Sequence, residues 1–304
     1  MKKEIILTPF KDLLAHALEN HYAIGYFEAW DIYSLEAVLE AAEGARLPVI
    51  LGFGGAMIEP GWLDSGGIER LGALGTAAAR SATVPVALIL NEVKTFPQIV
   101  RGIQAGFNAV MLDTSGLPFE ENIALTCKVV EVAHAVGVGV EAELGILPTA
   151  STKMAEHESC LTDPLQAAQF VAETGVDALS VSVGNTHLLT EGQAKIDCGL
   201  LSAIYQAVKI PLVIHGGTGF PEIAIPEVID LGVAKVNIGT CLKTSFLQGV
   251  REALLRLPEP FSIQDVMGSR KEMDIFQQGK LYMRKEVTYR MKLWYPGLEK
   301  EKAP

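Results

Sequence analysis

The sequence predicts an α/β fold, a closed (β/α)8 TIM barrel with a C-terminal helical extension, spanning residues 1–304 as one domain. Three observations predict it. Eight short apolar runs lie at Tyr22–Phe27, Pro48–Phe53, Val84–Leu90, Ala109–Leu112, Val138–Ala142, Ala178–Val183, Pro211–Ile214 and Ala234–Ile238. Segments of helical length separate them, and β-rich runs alternating with helices mean parallel strands buried on both faces. Nearly every run ends in a polar residue or glycine, and a barrel gathers such residues at one mouth. An open doubly wound sheet is the alternative, but eight units with polar ends fit a barrel better.

The first run ends at Glu28, the second at Gly54, the third at Asn91-Glu92 and the fourth at Asp113 and Ser115. The fifth carries Glu141 and Glu143, which strand alternation places on one face, with Ala142 on the other. The sixth leads to Asn185 and His187. The seventh ends in His215-Gly216-Gly217-Thr218-Gly219, with a helix expected from near Pro221. The eighth passes through Asn237 to Gly239 and Thr240. Arg270 to about Lys292 reads as a closing helix, followed by Leu293-Trp294-Tyr295-Pro296, whose aromatic pair suits packing on the barrel or a subunit contact. Ile146–Ser159 lacks apolar periodicity and reads as a lid, with Glu156 and Glu158 as acids it could carry.

Composition narrows the function classes. Hydrophobic residues make up 49% of the chain, enough for a large core. No apolar run approaches the ~20 residues that span a bilayer. Met1 to Leu7 is too short, and too soon broken by Pro9, to read as a signal peptide. A net charge of −11 argues against nucleic acid or an anionic membrane as partner. It leaves room for a small anion held at a helix terminus. Cys127, Cys160, Cys198 and Cys241 are scattered without CxxC spacing, which fits a reduced, cytoplasmic protein.

Two of the six histidines, His187 and His215, directly follow strands six and seven. With Glu92 they make a His2Glu set of the kind that holds catalytic zinc with an open position. Spacing alone leaves open two hydrogen-bonded histidines without a metal. Asp113, Glu141 and Glu143 crowd the same end and repel one another unless a cation or basic group sits among them. A pairing of Glu141 or Glu143 with Lys235 is the other way to relieve that repulsion. Gly216, Gly217 and Thr218 with Asn237, Gly239 and Thr240 form a candidate phosphate site, because the loops after strands seven and eight serve this role in such barrels.

From about Leu13 to about Leu254 the chain resembles the class II, metal-dependent ketose-bisphosphate aldolases, the family of fructose- and tagatose-bisphosphate aldolases. The segments that carry the resemblance include Gly106-Phe107 to Val110-Met111-Leu112-Asp113, Leu117-Pro118-Phe119-Glu120-Glu121-Asn122-Ile123 and Val140-Glu141-Ala142-Glu143-Leu144-Gly145. They continue with Leu161-Thr162-Asp163-Pro164, Thr174-Gly175-Val176-Asp177-Ala178-Leu179, His215-Gly216-Gly217-Thr218-Gly219 and Lys235-Val236-Asn237-Ile238. The resemblance implies a homodimer or homotetramer whose zinc is held by three histidines, two of which match His187 and His215. The third is absent. Where the family carries His-Leu-Asp-His after strand three, this chain reads Ile89-Leu90-Asn91-Glu92. Glu92 thus stands in the place of a zinc ligand and Asn91 in that of the catalytic aspartate. An amide cannot exchange that proton near neutral pH. A carboxylate ligand hardens the site, so zinc is the first expectation and Mn, Fe or Mg are also compatible. Tyr26-Phe27-Glu28 replaces Ala-Phe-Asn, Gly54 replaces a serine, Leu188 a glycine and Gly239 an aspartate.

These residues lead to the expectation of a diverged lyase. It cleaves a ketose (bis)phosphate or related sugar acid by a retro-aldol reaction through a metal-bound enediolate. Glu92, His187 and His215 hold the metal, and Asp113 and Glu143 support them or a second cation. The proton missing an acceptor at Asn91 is moved by Glu28 or, second, by Asp31. Arg270 is the match for an arginine on the far phosphate. A metal-dependent sugar epimerase or isomerase on the same scaffold, and an inactive sugar-phosphate-binding subunit, are the alternatives.

Overall fold

The computed structural model describes residues 7–148, 160–187 and 192–297. All eight apolar runs become strands: β1 (Ile24–Phe27), β2 (Val49–Gly54), β3 (Val86–Val93), β4 (Ala109–Leu112), β5 (Gly139–Leu144), β6 (Ala178–Val181), β7 (Leu212–Ile214) and β8 (Val233–Ile238). Each pairs with the next in parallel, and β8 returns to β1 with Ile24 opposite Lys235 and Tyr26 opposite Asn237. That last pairing closes the barrel and excludes the open sheet. β3 and β5 run past the apolar segments, to Val93 and Leu144, so Asn91, Glu92 and Glu143 lie within strands, as Glu141 already did. Hydrophobicity underestimates a strand whose inner face is polar near its end.

Helices α1 (Phe10–Glu19), α2 (Ile32–Ala45), α3 (Ile68–Ser81), α4 (Phe96–Gln104), α5 (Phe119–His134), α6 (Pro164–Thr174), α7 (Cys198–Val208), α8 (Ile225–Asp230) and α9 (Thr240–Leu255) surround the barrel. Near Pro221 a 3-10 turn, Glu222–Ala224, leads into α8. Local chemistry sets the helix starts. Thr95 accepts from the Gln98 amide at the head of α4, and Asp163 and Asp197 cap α6 and α7, each supplying an acceptor for an otherwise orphaned N–H. α1 closes the N-terminal end: Phe10 lies directly against Gly139 at the start of β5, and the Thr8 amide donates to the Val86 carbonyl at the start of β3. The opposite, C-terminal end is left for a site. Among the described residues no helix is long and apolar enough to cross a membrane.

The closing helix α10 spans Ile275–Trp294, starting later than the sequence suggests. The Asp274 carboxylate accepts from the Phe276 and Gln277 amides, whereas Arg270 sits in the left-handed region at φ 61° and cannot extend the helix. Trp294 and Tyr295 are buried, so among the two roles open to them packing is the one realised. Tyr295 stacks on Tyr22, its Oη accepts from the Gly25 amide at 2.9 Å and donates to the Pro48 carbonyl at 2.8 Å. The ring thus ties the heads of β1 and β2 to the C-terminal helix.

Tyr295→Phe keeps the ring and strands both backbone groups, so it should lower the unfolding free energy by roughly 1–3 kcal/mol. Denaturant unfolding of the two proteins measures this; an unchanged midpoint would mean that water takes over both bonds.

Candidate active site

The local break in β3 makes the site. The register to β4 shifts between Leu90 and Val93, and Glu92 has φ 52°, a left-handed conformation that costs a non-glycine residue roughly 1–3 kcal/mol. Regular alternation sends neighbouring side chains to opposite faces. Here Asn91 and Glu92 both line a cavity of about 570 Å³ at the C-terminal strand ends.

Glu92, Glu143, His187 and His215 bring ligand atoms within 4.8 Å of one another. His215, fully buried, holds the centre. Its Nε2 lies 2.8 Å from Glu141 Oε1, and its Nδ1 is 2.8 Å from Glu92 Oε1 and 3.1 Å from Glu143 Oε2. Among the described residues Nδ1 has no aligned hydrogen-bond partner. With Nε2 donating to Glu141, Nδ1 faces two carboxylates, so either its own proton or a cation must lie between them. The donor set, two carboxylates and two imidazoles, suits a divalent metal. Burial opposes a charge on His215, but contacts with Glu141, Glu143 and Glu92 raise its pKa well above the usual value. Burial also works against ionising Glu92, yet the His215 contact and the nearby charges of His215, His187 and Lys235 bring it down to about 2. Burial lowers the pKa of His187, against Glu92, which favours the neutral form that a ligand requires.

Glu141 and Glu143 do share a face, but with separate partners. Glu141 lies deeper, 2.8 Å from the fully buried Lys235 ammonium, which realises the lysine pairing for that residue. Glu143 belongs to the His215 cluster and accepts from the Ser180 hydroxyl at 3.1 Å. Asp113 lines the cavity apart from that cluster, bound by the Lys94 ammonium and the Ser115 hydroxyl.

Glu28 lies in the same cavity, with Oε1 2.8 Å from Lys243 Nζ. Burial raises its pKa above the usual carboxylate range, against the pull of Lys243. Asp31 is not brought to the cavity. It caps α2, its carboxylate accepting from the Ser34 amide and hydroxyl, and no acid is free there. Arg270 is likewise elsewhere, paired with Glu36 and stacked 4.0 Å over Tyr33.

Of the strand-seven and strand-eight residues, Gly216, Thr218, Asn237, Gly239 and Thr240 line the cavity. Gly217 sits behind them, packed on Val236 and Ile238, where its missing Cβ permits the close approach. Gly216 has φ 73°, and a Cβ there would lie 2.3 Å from the Thr186 carbonyl oxygen. Thr218 Oγ1 accepts from the Cys241 amide at 3.2 Å. Most of the lid segment, with Glu156 and Glu158, lies outside the described residues, as does Leu188.

Sequence reasoning missed Tyr26, Lys94 and Lys243. Lys243 is one turn into α9, on the side that faces the mouth, and Lys94 is two residues beyond Glu92; both offsets are legible once the strands are placed. Tyr26, Asn91 and Asn237 are buried and line the cavity, and among the described residues Tyr26 Oη, Asn91 Oδ1 and Asn237 Nδ2 have no hydrogen-bond partner.

The family model described as fructose-bisphosphate aldolase class-II matches residues 8–295. The fructose-bisphosphate aldolase of Geobacillus stearothermophilus is 35% identical over 268 residues, 88% of this chain and 92% of that protein. The fructose-bisphosphate aldolase of Staphylococcus aureus (strain Mu50) is also 35% identical over 268 residues, with the same coverage of 88% and 92%. Among solved structures, the YdjI aldolase from Escherichia coli K12 superposes with a TM-score of 0.79 at 30% identity, covering 98% of this chain and 100% of that one.

Elemental analysis of the purified protein should find near-stoichiometric divalent metal that is lost in both Glu92→Ala and His187→Ala. No metal after incubation with zinc and manganese would dismiss the cluster as a cation site.

Proposed function

This chain belongs to the class II fructose-bisphosphate aldolase family, and on that premise we propose that it cleaves a carbon–carbon bond of a ketose by a metal-dependent retro-aldol reaction. The observation that carries this reading is the convergence of Glu92, Glu143, His187 and His215, with Glu28 in the same cavity. Glu92, His187 and His215 are the proposed ligands, with Glu143 beside them. Zinc is the first choice of metal; the carboxylates also admit Mn, Fe or Mg. When bound, the cation supplies Lewis acidity that polarises the ketose carbonyl near the bond that breaks.

The chain's own residues do the rest. Asn91 Oδ1 and Tyr26 Oη, buried and unpartnered, offer hydrogen bonds to substrate hydroxyls. Asn91 cannot carry the proton, since an amide only donates and accepts hydrogen bonds. Glu28 is the proposed acceptor of the hydroxyl proton on the carbon that becomes the aldehyde. Its acid form then returns that proton to the carbon of the other fragment, and Lys243 holds the carboxylate in place. A ketose phosphate or related sugar acid is the proposed substrate class, and the working form a cytoplasmic homodimer or homotetramer.

The test is product analysis of metal-loaded protein on a panel of ketoses, with Glu28→Gln beside it. Two fragments of lower carbon count support cleavage; a product with every carbon retained assigns the site to epimerisation. Glu28→Gln should lower kcat by roughly 10²–10⁴-fold. The base must be ionised, so activity falls as pH drops through the Glu28 pKa. Burial places that acid limb above the usual carboxylate range, and it should vanish in Glu28→Gln. A wild-type rate and limb in that variant would move the proton transfer to another residue.

A further inference from the structure

The end of the cavity between β1, β2 and β8 adjoins the loop after β8, one of the two loops that bind phosphate in barrels of this kind. It lies at the head of α9, a helix of 16 residues, whose first N–H groups favour an anion. Gly239 leads into that helix and, as glycine, caps none of these N–H groups itself, while Thr218 Oγ1 accepts from the Cys241 N–H. The space beside it is filled. A Cβ built on Gly239 would lie 2.3 Å from Glu28 Oε2, and one built on Gly54 would lie 3.0 Å from Glu28 Oε1. Two glycines, from the ends of β2 and β8, thus flank the two oxygens of one carboxylate. Lys243, on the first turn of α9, is bound to that carboxylate at 2.8 Å.

The charges of the cavity point the same way. Among the described residues that line it, the carboxylates are Glu28, Glu92, Asp113 and Glu143, and the lysines are Lys94 and Lys243. Both lysines are already committed, to Asp113 and Glu28. A phosphate dianion entering at α9 meets an ionisable carboxyl and no unpaired lysine. A hydroxyl meets suitable partners: the Glu28 carboxylate to accept, Asn237 Nδ2 to donate and Tyr26 Oη to do either, the last two buried and unpartnered among the described residues.

We propose that Glu28 is the protein's own anion at the head of α9, so that the substrate end seated between β1, β2 and β8 carries a hydroxyl and not a phosphate. This rests on the reading of the cavity as the substrate site, and it gives Asn237, Gly239 and Thr240 to a hydroxyl instead of the phosphate that their sequence context suggests. Glu28 is then a specificity determinant as well as a proton acceptor, since a carboxylate placed to take a proton also bars an anion.

Titration calorimetry with inorganic phosphate tests it on the metal-loaded protein and on the same protein stripped of metal, which separates binding at the metal from binding at α9. Wild type should bind phosphate at least about tenfold more weakly than Glu28→Gln or Glu28→Ala, because each removes a charge and frees Lys243. Adding Lys243→Met to Glu28→Gln should abolish the gain. Dihydroxyacetone should compete with its phosphate ester better in wild type than in Glu28→Gln. Equal phosphate affinity in wild type and both single variants, or a gain that survives loss of Lys243, overturns the proposal. These readouts need no turnover. A failure of carbon–carbon cleavage leaves them intact, and they can fail while cleavage stands.

Discussion

The concentration of negative charge around one buried imidazole is the constraint on which the rest of this structure depends. His215 touches Glu141, Glu92 and Glu143, all within 3.1 Å, where water cannot screen them. Such a group is tolerable only if positive charge is supplied. The fold supplies part of it from below, through Lys235 on β8 against Glu141. The remainder comes from a proton on His215, whose pKa these carboxylates raise, or from a cation at the point that Glu92, Glu143, His187 and His215 face. A divalent cation answers this electrostatic demand and the chemistry of the family at once.

The same logic governs the opposite side of the cavity with the signs arranged differently. There the helix terminus and Lys243 are positive, and Glu28 answers them from within the chain. One end therefore gathers a donor set that suits a cation, and at the other Glu28 and Lys243 neutralise each other. The amides of Asn91 and Asn237 and the phenol of Tyr26, unpartnered among the described residues, line this cavity, and buried polar groups left unpaired cost stability. Stored cost of this kind is expected where binding is the purpose.

Much of this was legible in the chain. Burial on both faces of every strand forces continuous apolar runs, so the eight strands and their order could be read directly. The histidines ending strands six and seven, and the glutamate after strand three, could be read as one set because a barrel brings strand ends together. Asp31 shows where such reading stops. An acid just past a strand end and an acid capping the next helix look identical in sequence, and only the Ser34 partner distinguishes them. Arg270 is similar: a left-handed turn, not helix periodicity, decides where it points.

By itself the sequence determined the closed parallel barrel, the mouth at which chemistry collects and the meeting of Glu92, His187 and His215 there, because these follow from hydrophobic periodicity and strand count. Only the tertiary structure decided how the charges pair. The shift in β3 register puts Asn91 and Glu92 on one side, which no alternation rule predicts. The sorting of Glu141 to Lys235 and Glu143 to His215 is set by depth in the barrel. The contact of Glu28 with Gly54, Gly239 and Lys243 joins residues up to 215 positions apart, and distance across a closed barrel carries no trace in local sequence.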